Sequence, residues 1–299
     1  MAGAERRMRE AAKRPEHRSF GVLWAGMVAA GLIAIGIVVT SGFRDAGEET
    51  VRPVDLSARE LSPARVSPKI EQLTVRVIRK YPHATDAFTQ GLIWHDGILY
   101  ESTGQYGKSE LRKVRLEDGR VLVRRKLDSG VFGEGLALVD QRLIQLTWHS
   151  GIAFVSELAT LQERETLRYA GEGWGLCYDG SSLVMSNGSS TLDFRDPNSM
   201  ALLRKLNITR DGRPVDELNE LECVENEIYA NVWRRDEILR IDPTTGRVTG
   251  SIDASGLLTR AESRRADVLN GIAYKPDSKT FLVTGKLWPQ VFEVEFEPR

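Results

Sequence analysis

Five copies of one short segment divide the C-terminal three-quarters of this chain. Gly91-Leu92-Ile93-Trp94 precedes His95-Asp96-Gly97 and the apolar run Ile98-Leu99-Tyr100. Gly135-Leu136-Ala137-Leu138 precedes Asp140 and Leu143-Ile144, and Gly175-Leu176-Cys177-Tyr178 precedes Asp179-Gly180 and Leu183-Val184-Met185. Leu221-Glu222-Cys223-Val224 and Gly271-Ile272-Ala273-Tyr274 lead the same way into Ile228-Tyr229-Ala230 and Phe281-Leu282-Val283. The copies start at 91, 135, 175, 221 and 271, spaced 44, 40, 46 and 50 residues apart. Between them run short alternating stretches such as Val291-Phe292-Glu293-Val294-Glu295-Phe296, with little helical periodicity, so the region is all-β. A period of about 40–50 residues with four short strands per copy predicts a five-bladed β-propeller over residues 71–299. The last copy accounts for only three strands. The alternating segment at 73–79, ahead of the first copy, supplies the fourth and closes the ring by pairing the N- and C-terminal strands, which removes free sheet edges. A monomer is expected.

The repeat also locates a pocket. The first two strands of each copy form an antiparallel hairpin, so the start of the first and the end of the second lie at one end of the ring. Just before the first strands stand Gln90, Glu134, Trp174, Glu220 and Asn270; at or past the ends of the second stand Ser102, Thr103, Trp148, Asn187, Trp233 and Lys286. Propeller loops are ordinarily Gly, Asp, Asn and Ser. Tryptophans, a lysine, a glutamate and amides on one rim predict a binding mouth.

The N-terminus reads differently. Arg6, Arg7, Arg9, Lys13, Arg14 and Arg18 mark a basic segment (1–19), followed by residues 20–43, from Phe20 to Phe43, without a charge. About 20 apolar residues span a bilayer as a helix. The basic flank keeps the N-terminus cytoplasmic and sends the rest outward. The expectation is therefore a single-pass anchor in the inner (cytoplasmic) membrane, uncleaved because no small-residue exit site follows the run. Residues 44–70, with Pro53, Pro63 and Pro68 among charges, form a linker to an extracytoplasmic, periplasmic domain. With 41 basic and 42 acidic residues and no basic stripe beyond residue 18, nucleic acid is not an expected partner. Four scattered histidines and two cysteines offer no metal-site spacing, so neither a metal nor another cofactor is expected.

Each candidate also has a bland reading. Glu134, between Gly133 and Gly135, could be a turn carboxylate bonded to a backbone amide. Trp148, Trp174 and Trp233 could fill the taper between blades, although three on one rim argue against it. Lys286 could be a surface charge, and Asn219 with Glu220 could cap a turn. Glu222 could face the channel. Cys177 and Cys223 hold the same repeat position in adjacent copies, which places them too far apart for a bridge, so two buried free thiols are expected.

The segments Phe88-Thr89-Gln90-Gly91-Leu92, Glu101 to Gly107, Phe132-Gly133-Glu134-Gly135, Leu146-Thr147-Trp148 and Glu172-Gly173-Trp174-Gly175-Leu176 closely resemble the plant and bacterial type of glutaminyl cyclase. Leu218 to Glu222, Ala230-Asn231-Val232-Trp233, Leu269 to Tyr274 and Thr284 to Pro289 complete nine matches in the family's order, over about residues 74–296. The resemblance implies a five-bladed propeller. It also implies conversion of N-terminal glutamine of a peptide or protein to pyroglutamate with loss of ammonia, in a type not known to need a metal. It places Glu134 as the proton shuttle, with Lys286, Gln90 and Asn219 as catalytic donors. Phe88, Trp148, Trp174, Trp233 and Asn270 then hold the substrate. The competing readings are a non-enzymatic propeller that binds peptide ends or glycans in the aromatic mouth, and a metal-dependent propeller lactonase.

Overall fold

The computed structural model describes residues 69–299. Among them every regular element is a strand and none is a helix. The expected anchor at 20–43 lies outside the described residues.

Strand β1 (Glu71–Pro82) comes first. Strands β2 (Thr89–His95), β3 (Ile98–Thr103), β4 (Glu110–Arg115) and β5 (Arg120–Lys126) then form an antiparallel sheet in chain order. A second set repeats the pattern with β6 (Gly133–Val139), β7 (Arg142–Thr147), β8 (Ile152–Glu157) and β9 (Glu163–Arg168). The third set is β10 (Leu176–Tyr178), β11 (Leu183–Met185), β12 (Thr191–Arg195) and β13 (Leu202–Asn207). A small hairpin that the repeat did not foretell follows, β14 (Thr209–Arg210) with β15 (Arg213–Pro214). The fourth set is β16 (Leu218–Val224), β17 (Glu227–Val232), β18 (Glu237–Ile241) and β19 (Val248–Asp253). The fifth holds β20 (Leu269–Lys275), β21 (Thr280–Gly285) and β22 (Gln290–Pro298), and β1 completes it, antiparallel to β22 from Leu73 opposite Pro298 to Pro82 opposite Gln290. Strand β1 is longer than the segment 73–79 suggested. Its first residues use their second edge as well, Glu71–Thr74 pairing in parallel with Gly250–Asp253 of β19, so the fourth and fifth sets share one eight-stranded sheet.

The first strands of the sets stand side by side in a closed circuit: β2 beside β6, then β10, β16, β20 and β2 again. Five apolar clusters fill the gaps between neighbouring sets. Tyr100, Leu111, Leu136 and Leu143 join the first and second, and Ile144, Leu146, Leu183 and Met185 the second and third. Val184, Phe194, Leu221 and Leu239 join the third and fourth, Ile238, Ile252, Ile272 and Phe292 the fourth and fifth, and Ala273, Leu282, Leu92 and Leu99 the fifth and first. Successive residues of a strand point to opposite faces. Leu99 therefore serves one cluster and Tyr100 the next, which is why these strands read as unbroken apolar runs rather than as alternation.

Close approach at the centre depends on the glycines that open the copies. A Cβ on Gly91 would lie 2.5 Å from the Leu136 backbone nitrogen, and one on Gly135 2.5 Å from that of Leu176. Gly175 sits more tightly still, against the Asn219 carbonyl. The fourth copy has Leu221 instead of glycine, and there side chains span the junction. Gly271 N–H donates to Asn231 Oδ1 (2.8 Å), Ile272 N–H to Glu220 Oε2 (2.8 Å) and Tyr274 N–H to Glu222 Oε1 (2.7 Å). Leu92 N–H, from the first set, reaches the other oxygen of Glu220 at 3.3 Å.

This packing corrects the reading of the cysteines. Cys177 and Cys223 form a disulfide, with Cα atoms 5.5 Å apart. Equivalent positions of adjacent copies are distant at the rim but converge at the axis, and the contact of Gly175 with Asn219 brings β10 and β16 together just before the two cysteines. The bridge closes a loop with a sequence separation of 46.

Two stability outcomes follow. Gly135→Ala should cost about 1–3 kcal/mol or more, since backbone rather than a flexible side chain meets the new methyl. Gly130→Ala, where nothing lies within 4 Å, should be near neutral. Urea denaturation of both variants measures the contrast. Reduction of the Cys177–Cys223 bridge should lower stability by up to about 4 kcal/mol from released loop entropy, read in the same assay with and without reductant.

Candidate active site

In four of the five sets the first hairpin slips register at the same place. The pairing jumps between Thr89 and Gly91, Gly133 and Leu136, Leu218 and Leu221, and Leu269 and Ile272. The residues skipped are Gln90, Glu134 with Gly135, Asn219 with Glu220, and Asn270 with Gly271. A bulge releases a residue from the ladder and re-aims its side chain. In the third set the corresponding Trp174-Gly175 precedes the strand and is held by Ser186: Trp174 N–H donates to Ser186 O (3.0 Å) and Gly175 N–H to Ser186 Oγ (2.7 Å). The repeat thus delivers one polar or aromatic side chain per set to the same end of the ring.

Glu134 is buried, 4% exposed. Gln90 Nε2 donates to Glu134 Oε1 at 2.8 Å, and Asn270 Nδ2 donates to Gln90 Oε1 (3.2 Å) and to the Thr89 carbonyl (3.0 Å). The chain Asn270–Gln90–Glu134 orients the carboxyl and commits one amide proton of Gln90 to it. Its backbone is pinned too: Ser102 Oγ donates to the Glu134 carbonyl, Gln145 Nε2 donates to Ser102 Oγ (2.8 Å), and Gly135 N–H donates to Trp174 O (2.6 Å). Burial pushes the Glu134 carboxyl well above the usual range. The positive charge of Lys286 and the Gln90 hydrogen bond pull it back, while the negative charge of Glu172 pushes it further up.

Lys286 is also buried, 2% exposed, just past the end of β21. Its backbone is held by Val268 and Asp267, and the next residue, Leu287, donates its N–H to Ala87 O of the first set (2.7 Å). The ammonium lies 5.0 Å from the Phe88 ring centroid. Burial lowers its pKa, against the attraction of Glu134 and Asp267. Burial thus pushes the carboxyl up and the ammonium down, while the attraction between the two opposes both shifts.

Aromatic rings pack against one another at the same strand ends. Phe88 meets Phe132 edge-on (6.1 Å between centroids), Phe132 meets Trp148 (5.6 Å), and Trp174 meets Trp233 (5.6 Å). Phe88 and Phe132 are buried, whereas the three tryptophans are half-buried. Asn219 and Asn270 are buried, and among the described residues their Oδ1 atoms have no hydrogen-bond partner. All nine site residues expected from the sequence therefore lie at the strand ends that the repeat assigns to one end of the ring.

Glu220, which is buried, and Glu222, which is half-buried, serve a different purpose. The oxygens of Glu220 are taken by backbone N–H groups of β2 and β20, so this rim carboxylate is structural. Sequence reasoning passed over Gln145, although a glutamine inside the apolar run Leu143-Ile144-Gln145-Leu146 is itself a signal of a buried polar tie. It also gave no role to Glu172, whose Oε2 accepts from both indoles, Trp148 Nε1 (3.0 Å) and Trp174 Nε1 (3.1 Å). Among the described residues no three His, Cys, Asp or Glu side chains are grouped to hold a metal ion.

The closed circuit of first strands brings a buried, oriented carboxyl, a buried lysine coupled to it electrostatically and a group of aromatic rings to one end of the sheets, the kind of arrangement that an enzyme moving protons requires. The chain belongs to the glutamine cyclotransferase family, whose family model matches residues 53–296. It is 42% identical over 228 residues to a glutaminyl-peptide cyclotransferase of Arabidopsis thaliana, covering 75% of this chain and 71% of the relative. The crystal structure of Myxococcus xanthus glutaminyl cyclase matches with a TM-score of 0.73 at 44% identity, over 77% of this chain and all of that one.

Burial raises the Glu222 carboxyl from 4.5 to about 8, opposed by the Tyr274 N–H. Between those values the unfolded chain has released the proton and the folded chain retains it, so Glu222 disfavours the fold increasingly as pH rises. Glu222→Gln keeps an acceptor for Tyr274 and should gain stability relative to wild type on going from pH 5 to pH 8, as measured by denaturation at both.

Proposed function

We propose that the five sets are the blades of a five-bladed propeller, and that its mouth cyclises N-terminal glutamine of peptides or proteins to pyroglutamate, releasing ammonia. The observation that carries this reading is the buried Glu134, oriented by Gln90 and electrostatically coupled to Lys286 inside an aromatic ring of walls. The ring of first strands and the five inter-set clusters support the blade count.

In the reaction the substrate α-amine attacks the carbonyl carbon of its own side-chain amide. As the new C–N bond forms, the amine gives a proton to ionised Glu134. The tetrahedral centre then collapses: Glu134 returns that proton to the amide nitrogen, the old C–N bond breaks, and ammonia leaves. The elevated pKa of Glu134 suits the role, because a carboxyl pushed above its ordinary range is a stronger base toward the amine and still returns the proton to the leaving nitrogen. Lys286 stabilises the negative charge on the amide oxygen in the intermediate. Asn219 and Asn270 offer their unpartnered Oδ1 atoms to the N–H groups of the substrate amine and amide. Phe88, Trp148, Trp174 and Trp233 exclude water and hold the side chain folded back on its amine, which matters because the cyclisation is intramolecular and gains most from positioning. The non-enzymatic binding reading is not favoured, since a binder has no use for a carboxyl held at an elevated pKa.

The charge-free run at 20–43 behind a basic segment supports a membrane anchor with the propeller on the extracytoplasmic side. The Cys177–Cys223 disulfide fits that compartment, where such bonds persist. Closure of the ring on its own termini supports a monomer.

The test is ammonia release from a glutamine-initiated dipeptide in EDTA. Wild-type protein should be active, with an acid limb well above the ordinary carboxylate range. Glu134→Gln keeps the hydrogen bond from Gln90 but cannot carry the proton, and should lose about 10²–10⁴ in kcat. A folded wild-type protein that releases no ammonia would refute the assignment.

A further inference from the structure

Glu172 stands on the segment between the second and third sets. One of its oxygens, Oε2, is the common acceptor of two indole N–H groups from different sets, Trp148 at 3.0 Å and Trp174 at 3.1 Å. Its other oxygen faces His149 Nδ1 at 3.4 Å, and the His149 ring stacks on Trp148 at 3.9 Å between centroids, 28° from parallel. The same carboxylate therefore fixes the tilt of both rings and, through His149, covers one face of the first. Each ring in turn leans on another wall, Trp148 on Phe132 and Trp174 on Trp233. An indole N–H is a donor only, with one proton. Without this acceptor both rings would be free to rotate in a mouth where they are only half-buried.

We propose that Glu172 is a positioning residue of the cyclase reaction: it clamps Trp148 and Trp174 in the orientation that holds the glutamine side chain against its own amine. The assignment rests on the cyclase reading of this site. It predicts that losing the clamp weakens substrate capture more than the chemistry, because Glu134 and Lys286 are held by other contacts. Two charged groups bear most directly on Glu134, Lys286 lowering its pKa and Glu172 raising it. Removing the Glu172 charge should therefore also move the acid limb of kcat/KM to lower pH, which a purely structural residue would not do.

Glu172 is exposed enough for substitution to leave the fold intact, its side chain being 44% accessible. Glu172→Gln keeps one oxygen that can accept from both indoles, as Oε2 does now, so the informative variant is Glu172→Ala, which removes the shared acceptor. In the dipeptide assay it should raise KM roughly 5–30-fold, comparable to about 1–2 kcal/mol, while kcat changes less than about threefold. In a double-mutant cycle with Trp148→Phe, which has no N–H to clamp, the two losses should be markedly less than additive. Indole N–H resonances of 15N-labelled protein should show two signals shifting in Glu172→Ala. Wild-type KM and an unmoved acid limb in Glu172→Ala, or full additivity with Trp148→Phe, would overturn the assignment while leaving the cyclase reading intact. Absence of ammonia release by wild-type protein would overturn both, and the resonances would then show whether the clamp exists as a purely structural contact.

Discussion

Backbone-to-backbone approach of the five first strands around the axis is the constraint on which everything else in this protein depends. Gly91, Gly135 and Gly175 permit it at three junctions by having no Cβ where a neighbouring main chain passes. The fourth junction lacks the glycine and is bridged by side-chain acceptors, Glu220, Glu222 and Asn231, that take up the N–H groups of β20. Once the strands are that close, the apolar runs on their outer partners have no alternative but to fill the wedge between sets. The same closeness accounts for the disulfide between β10 and β16.

Three carboxyls with raised proton affinity fall into two kinds. Glu220 spends both oxygens on backbone N–H groups and Glu222 accepts from another, so these groups hold sheets together. Among the described residues the Glu134 carboxyl accepts one hydrogen bond, from the Gln90 side chain, and it is coupled electrostatically to Lys286. Burial raises all three, but only at Glu134 is the elevated proton affinity placed among aromatic walls and amide groups where a substrate can use it. Chemistry and scaffold are thus distinguished by what each carboxyl is bonded to, not by depth of burial.

Much of this was legible in the chain. The five copies fixed the order of the strands, the hairpin logic put Glu134, Lys286 and the tryptophans at one end, and the orphan segment near 73–79 did complete the last set. Other parts were not legible, for identifiable reasons. The parallel pairing of Glu71–Thr74 with β19 uses the second edge of a strand, and an alternating pattern carries no information about which edges are taken. The hairpin β14–β15 falls in an insertion between copies, where the repeat is silent. The cysteines were expected to stand too far apart because they hold equivalent positions in adjacent copies, whereas the contact of Gly175 with Asn219 brings their strands together.

The repeat, its glycines and the composition of its strand ends determine the all-β class, the number of units and the set of residues that meet at the mouth, because periodicity and side-chain alternation are local properties of a chain. Tertiary structure alone decided which of those residues touch. The bond from Gln90 to Glu134, the elevation of Glu134 by burial and its coupling to Lys286 and Glu172, and the closure of Cys177 on Cys223 all join residues from different sets. Their distances are set by how far the sheets can close on the axis, and that depends on packing across every junction at once rather than on any segment of the sequence.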